Sequence, residues 1–265
     1  MNHLILLPMS TEIQAQPAGW YADPAGQARY RYWDGRGWTH QTSHAKDPVN
    51  GRALGPGFAR LGDWLAHLLR LSAVLALVQA ACYLWLWQET RSSRSTAGST
   101  LRVVDTVQVV SVVVLVVTGI VWFVWQVRLL RSAPGGDHRG AGWQVAGWLV
   151  PFATFYVPFQ NISRLWRSYG AGRDEPVAEA SPVLLPAWWG TWIAANVVTW
   201  FAYLQAFSDA MRAARSGTPL DVYDVYGHVS LWYAGHSAVM FLAAVLAIRV
   251  VTRLSWRALV FWTTD

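Results

Sequence analysis

A chain of 265 residues that is 54% hydrophobic, only 14% charged and holds 18 tryptophans is not an ordinary soluble domain, in which about a quarter of the residues carry charge. The formal charge of +6 comes almost wholly from arginine, Lys46 being the single lysine, and on so apolar a chain this excess points to the cytoplasmic side of a bilayer rather than to nucleic acid. Cys82 is the only cysteine, which excludes a disulfide within the chain and a cysteine-based zinc site.

Residues 1–16 are expected to be disordered, and the apolar run Leu4–Leu7 is too short, with no basic residue before it, to serve as a secretory signal. A small module follows over residues 17–43. Asp34-Gly35-Arg36-Gly37 is a turn signal between two aromatic runs, Ala28–Trp33 and Trp38–Thr42, and predicts a β-hairpin. A lone hairpin is marginal, so Trp20, Tyr21, Tyr32, Trp33 and Trp38 have two readings: a miniature core, or a face that binds a protein or peptide. Gly19, Trp20, Tyr21, Asp23 and Pro24, then Arg31, Tyr32, Trp33, Asp34 and Gly35, then Trp38 and Thr39, resemble a bacterial module known as domain of unknown function 2510. That resemblance implies a small unit attached to diverse, often membrane-bound, proteins, and it brings no ligand. Residues 44–57, rich in proline, glycine and charge, read as a flexible linker.

A membrane domain is expected over residues 58–257. Phe58–Leu69 is amphipathic and predicts an interfacial helix leading into a first span, Leu68–Trp87. Gln88–Arg102, rich in serine and threonine, reads as a solvent loop. The valine-rich run Val103–Val127 is a second span, too long for a strand. A third follows at Val183–Phe207, with Gly190 and Ala194 as a close-packing face, and a fourth at Val229–Val251. Residues 258–265 read as a tail.

Between the second and third spans lies Gly142–Trp166, apolar but interrupted by Pro151 and Pro158. Its unbroken part is short of the roughly 20 residues that a crossing helix needs, and each proline kinks or ends a helix. The stretch is therefore expected to dip in and return, as a re-entrant or interfacial element. Pro158 suits the first turn of a new helix in which Phe159, Ile162, Leu165, Trp166 and Tyr169 oppose Gln160, Arg164 and Arg167. If the stretch does not cross, most arginines fall on one side, which places both termini in the cytoplasm. Trp143, Gly147, Trp148, Val150, Pro151, Phe152, Pro158, Gln160, Leu165 and Trp166 resemble the signature of a bacterial family, domain of unknown function 4328. That resemblance implies a multi-span membrane protein and no known chemistry.

No zincin, nucleophile-elbow, phosphate-loop, dinucleotide or paired-cysteine motif is present. Catalytic, cofactor and metal residues are accordingly not assigned, and no enzyme activity is expected. Asp105, Gln126, Asn196 and His236 form a candidate intramembrane polar site, either glue between helices or a relay. Asp209, Asp221 and Asp224 are oxygen-bearing, but their spacing favours a solvated surface over a cation site. The expected fold is an all-α membrane protein of four transmembrane helices plus the proline-broken element, preceded by the small β module. Its expected partners are the lipid bilayer of the cell membrane and a protein or peptide held by the module, with no nucleic acid and no cofactor. Two functions fit: a non-enzymatic interaction or scaffold protein, or a small transporter or channel component whose broken helix lines the pathway.

Overall fold

The structure is a computed structural model that describes residues 19–28, 30–43, 54, 57–92, 94–133, 142, 146–148, 150, 152–169 and 183–263. Residues 1–18, most of the linker 44–56, Trp143, Pro151 and the last two residues of the tail lie outside the described residues.

The module is a three-stranded antiparallel sheet rather than a lone hairpin: β1 (Gly19–Ala22), β2 (Tyr30–Trp33) and β3 (Trp38–Ser43) pair in that order. The Asp34 carboxylate accepts the backbone N–H groups of Arg36 and Gly37, each at 2.6 Å, and Gly35 takes φ 97°, which closes the β2–β3 turn. The missed strand is held by Asp23, whose carboxylate accepts the N–H groups of Ala25, Gln27 and Ala28 and the Nε of Arg31 at 2.7 Å. One side chain thus folds the β1–β2 connection. The third strand supplies the cross-strand contacts that two strands lack.

The remainder is helical: α1 (Gly57–Ser92), α2 (Arg94–Ser132), α3 (Val157–Ser168), α4 (Leu184–Ser216) and α5 (Val222–Thr263), with a short 3-10 turn, Ala153–Phe155, ahead of α3. The expected interfacial helix and first span are one continuous helix, α1. The expected solvent loop Gln88–Arg102 is largely helical as well. Thr90 and Ser92 hydroxyls donate back to the carbonyls of Trp87 and Gln88, and Thr106 does the same to Arg102, so polar residues sit in the helices without loss of backbone bonding. α4 ends at Gly217 in the left-handed conformation, φ 67°, and α5 starts at Val222 instead of Val229 because the Asp221 carboxylate accepts the N–H of Tyr223. The residues expected as a tail continue α5 to Thr263, with Ala258 and Phe261 buried.

The long helices pack side by side in the order α2–α1–α5–α4. α1 and α5 run antiparallel: Gly62 abuts Ser255 at one end of the pair, and Gly227 abuts Thr90 at the other. α4 meets α5 through the buried Ala195 and Ala202, whereas Gly190 and Ala194, the expected packing face, point outward. Among the described residues three helices, Gly57–Ser92, Ala97–Ser132 and Val222–Phe261, are long and apolar enough to cross a membrane. α4 is about 50 Å long at 1.5 Å per residue, but Trp188, Trp189, Trp192, Trp200, Thr191, Thr199 and Asn196 dilute its hydropathy below theirs. Four such spans, expected from the sequence, are thus three by this measure.

α2 ends and α4 begins at the same end of the row. Trp122 of α2 stacks on Trp188 of α4 with centroids 5.6 Å apart. Most of the core gathers at this end, around Trp125, Leu129, Ile162, Leu165, Val250 and Leu254.

Candidate functional site

In the module, strand register sends the five predicted aromatics to two faces. Trp20 and Tyr32 are paired across β1 and β2, their rings 5.3 Å apart on one face. Tyr21, Trp33 and Trp38 share the other: Trp38 meets Trp33 at 5.3 Å and Tyr21 at 6.3 Å, both edge-on. Trp20 is buried, and Trp38 is 39% exposed. Trp38 thus meets both neighbouring rings edge-on, at 68° to Trp33 and 88° to Tyr21. Arg31 lies on this same face, tied to Asp23. For Asp23, partial desolvation pushes the carboxyl upward, but the N–H groups of Ala28 and Ala25 and the Arg31 guanidinium outweigh it and hold it below the usual carboxylate range. Asp34 is also held low, by the N–H groups of Gly37 and Arg36.

The broken stretch is built from two arms. The helical residues 146–148 lie against α3 where Gly147 meets Val157. Pro158 stands in the first turn of α3, as its missing N–H allows, and Gln160 is half-buried beside it. Trp148 is wedged between α2 and α4, with its ring 6.0 Å from Trp122, 5.8 Å from Trp189 and 6.0 Å from Trp192. At the turn between the arms the chain throws its apolar side chains outward: Phe152 is 86% exposed with φ 64°, and Val150, Phe155 and Tyr156 are exposed with it. The Trp189 indole donates to the Phe155 carbonyl at 3.0 Å and fixes this turn to α4.

α3 buries Val157, Pro158, Asn161, Ile162, Leu165 and Trp166, and its C-terminal end is stapled on both sides. Tyr169 donates its hydroxyl to the Leu129 carbonyl of α2 at 2.7 Å and lies 2.7 Å from the Ser132 hydroxyl. Burial pushes the Tyr169 phenol well above its ordinary value, with the Ser132 bond opposing the shift, so it stays a donor. On the other side Arg257 of α5, 3% exposed, lies 4.2 Å over the Trp166 ring and donates to the Trp166 carbonyl at 3.3 Å. Among the described residues two buried polar groups find no partner: the Trp148 indole N–H and the whole carboxamide of Asn161. Sequence reasoning passed over Asn161, although an Asn on the apolar face of an amphipathic helix was a readable signal.

The predicted intramembrane residues are dispersed. His236 Nδ1 lies 2.7 Å from the Thr199 hydroxyl and 2.9 Å from the Ala195 carbonyl, bridging α5 to α4. Asn196 instead donates to Trp192 within its own helix. Gln126 accepts from the Trp122 indole at 3.1 Å, at the end of the row where the tryptophans gather. Asp105 is exposed near the other end. A polar contact missed from sequence joins α1 to α2: Gln79 donates to Gln108 at 2.6 Å, with Tyr83 also reaching Gln108.

Asp209 is buried near the end of α4, ion-paired with Arg212 and 2.9 Å from His228 Nδ1 of α5. These three line a cavity of about 450 Å³ together with Asp221 and Asp224. Among the described residues no group of three or more His, Cys, Asp or Glu side chains is placed to hold a metal ion.

Two family models match. Residues 18–51 match "Protein of unknown function (DUF2510)", and residues 88–255 match "Domain of unknown function (DUF4328)". No curated protein and no solved structure matches the chain. The DUF4328 match takes in more than half the residues, α2 to α5 with the broken stretch between them, and the chain belongs to the DUF4328 family, with a DUF2510 module ahead of it.

Proposed function

We propose that this chain is a non-enzymatic, multi-pass protein of the cell membrane whose DUF2510 module docks a protein or peptide close to the bilayer. The observation that carries the docking role is the aromatic face of Tyr21, Trp33 and Trp38, held rigid by sheet register and by the Asp23 and Asp34 carboxylates. The test is titration of extended peptides, proline-rich ones included, onto the full-length protein in nanodiscs. Saturable binding that Trp38→Ala abolishes is expected. Absence of binding across the panel, with the sheet intact by hydrogen exchange, overturns this role.

In the membrane, four helices cross and the broken stretch returns to the side it left. Support comes from α2 and α4, which meet at one end of the row, and from α4, whose length exceeds the roughly 30 Å of a hydrocarbon core and whose tryptophans suit an interfacial belt. The outward apolar turn at Phe152 has a natural place in lipid. Both termini then lie in the cytoplasm with Arg60, Arg128, Arg131, Arg164, Arg167 and Arg253. In a Cys82→Ser background, Arg173→Cys is expected to react from the cytoplasmic face; reaction solely from the opposite face overturns this topology.

A second reading, a small transporter or channel component, is favoured by the unpaired Asn161 and Trp148 groups beside a helix break. Reaction of Asn161→Cys in the folded protein with a water-soluble thiol reagent would support it, and full protection counts against it.

A further inference from the structure

The two ends of the helix row differ in charge. One end gathers Arg60 of α1, Arg128 and Arg131 of α2, Arg164 and Arg167 of α3, and Arg253 and Arg257 of α5, with Asp63 the acidic side chain among the described residues there. At the other end, Arg91, Arg102, Arg212 and Arg215 stand among Glu89, Asp105, Asp209, Asp221 and Asp224. Pairing differs as well. Arg212 is neutralised by Asp209, whereas Arg60, Arg128, Arg131, Arg164 and Arg167 have no carboxylate partner among the described residues.

The position of α3 makes this more than a by-product of orientation. Tyr169 ties its C-terminal end to Leu129 of α2, next to Arg128, and Arg257 ties Trp166 to α5, one turn from Arg253. Arg167, exposed, and Arg164, half-buried, thus lie on the side of α3 opposite the buried Ile162, Leu165 and Trp166. At the far end of α3 the exposed Phe152, Phe155 and Tyr156 give the same element an apolar tip. A basic face beside an apolar tip matches a leaflet in cross-section, with phosphates above acyl chains. The connections flanking α3 also contain Asp137, Asp174, Glu175 and Glu179, with Arg139 and Arg173, which leaves arginine in excess at this end.

We propose that α3, with Arg164 and Arg167 at its centre and the arginines Arg128 and Arg131 of α2 at the same end of the row, is a docking surface for the phosphate headgroups of anionic phospholipid. This deepens the membrane reading above, since it assigns this end to the leaflet that carries anionic lipid. The test is a thermal-stability titration of the full-length protein in neutral detergent with phosphatidylglycerol, phosphatidylcholine or inorganic phosphate. Phosphatidylglycerol is expected to raise Tm saturably, while the other two leave it unmoved. Arg164→Gln with Arg167→Gln is expected to weaken that response about thirty-fold, equivalent to roughly 1 kcal/mol for each arginine beside an anionic surface. Arg164→Lys with Arg167→Lys retains most of it, which separates loss of charge from loss of fold. Arg91→Gln with Arg102→Gln at the other end leaves it unchanged. Equal stabilisation by phosphatidylcholine overturns the proposal, as does an unchanged response in the glutamine variant or saturation by inorganic phosphate alone. The titration is indifferent to which way the chain faces, so its failure leaves the labelling of Arg173→Cys standing, and the reverse holds too.

Discussion

Gly147 packs so closely on Val157 that a β-carbon added to the glycine would overlap the valine side chain at Cβ and Cγ1. The two arms of the broken stretch touch there, backbone against side chain. Gly147→Ala is expected to destabilise the protein by about 1–3 kcal/mol, the usual cost of overpacking. Val157→Ala in the same chain should recover part of that loss, because it removes the Cγ1 overlap and leaves the Cβ contact at 2.9 Å. Thermal unfolding of the two single variants and the double variant measures both, and additive losses would show that the contact is not formed.

Arg257 serves α3 in two ways, through the Trp166 ring and through the Trp166 carbonyl. Arg257→Met keeps the bulk of the side chain and removes both interactions, at an expected cost of about 2 kcal/mol for a desolvated cation–π pair. Lysine is a poor substitute because it lacks the planar guanidinium that stacks and donates at once. Faster proteolysis within residues 157–169 of the folded protein is the readout.

Asn161 is 1% exposed and its carboxamide is unpaired. Replacing a buried, unpaired polar group with an apolar one of similar size removes a desolvation cost, so Asn161→Leu is expected to be neutral or stabilising by about 1 kcal/mol. A marked loss of stability in the melting curve would instead show that the amide has a partner in solution.

Acid should open the module before the helices. The carboxyls of Asp23 and Asp34 titrate below their unfolded values. A depressed pKa contributes stability that is fully present above the unfolded pKa, near 4, and is lost as pH falls through the folded one. Hydrogen exchange in peptides covering residues 19–43 of the full-length protein is expected to accelerate below about pH 4, while the helices stay protected. Asp23→Asn should remove part of this dependence and weaken the sheet at neutral pH.

Apolar runs long enough to exclude strands announced the helices, and the valine-rich body of α2 is the plainest case. Their ends were less legible. Thr90 and Ser92 look like loop residues in sequence, yet hydroxyls that bond back to helix carbonyls satisfy themselves. β1 was hidden because its pairing is imposed by Asp23 reaching Arg31 across the connection. For the candidate sites, the face of α3 could be read from the 3.6-residue period and the start of α3 from Pro158. The division of the module's aromatics into Trp20 with Tyr32 and Tyr21 with Trp33 and Trp38 needed the register. Likewise, the partners of His236, Gln79 and Asp209 lie on other helices, and the chain gives no local sign of them.

The order α2–α1–α5–α4 has a consequence for biogenesis. Among these helices the first made, α1, takes as its main neighbour the last of them, α5, and α4 too must await α5. Until α5 is made, α1 relies chiefly on α2, with Gly62 lacking the Ser255 surface it fits and Thr90 lacking Gly227. A polypeptide cut short before Val222 would be left as two separate pieces, α1 with α2 and α4 by itself, so α5 is the element that joins the row.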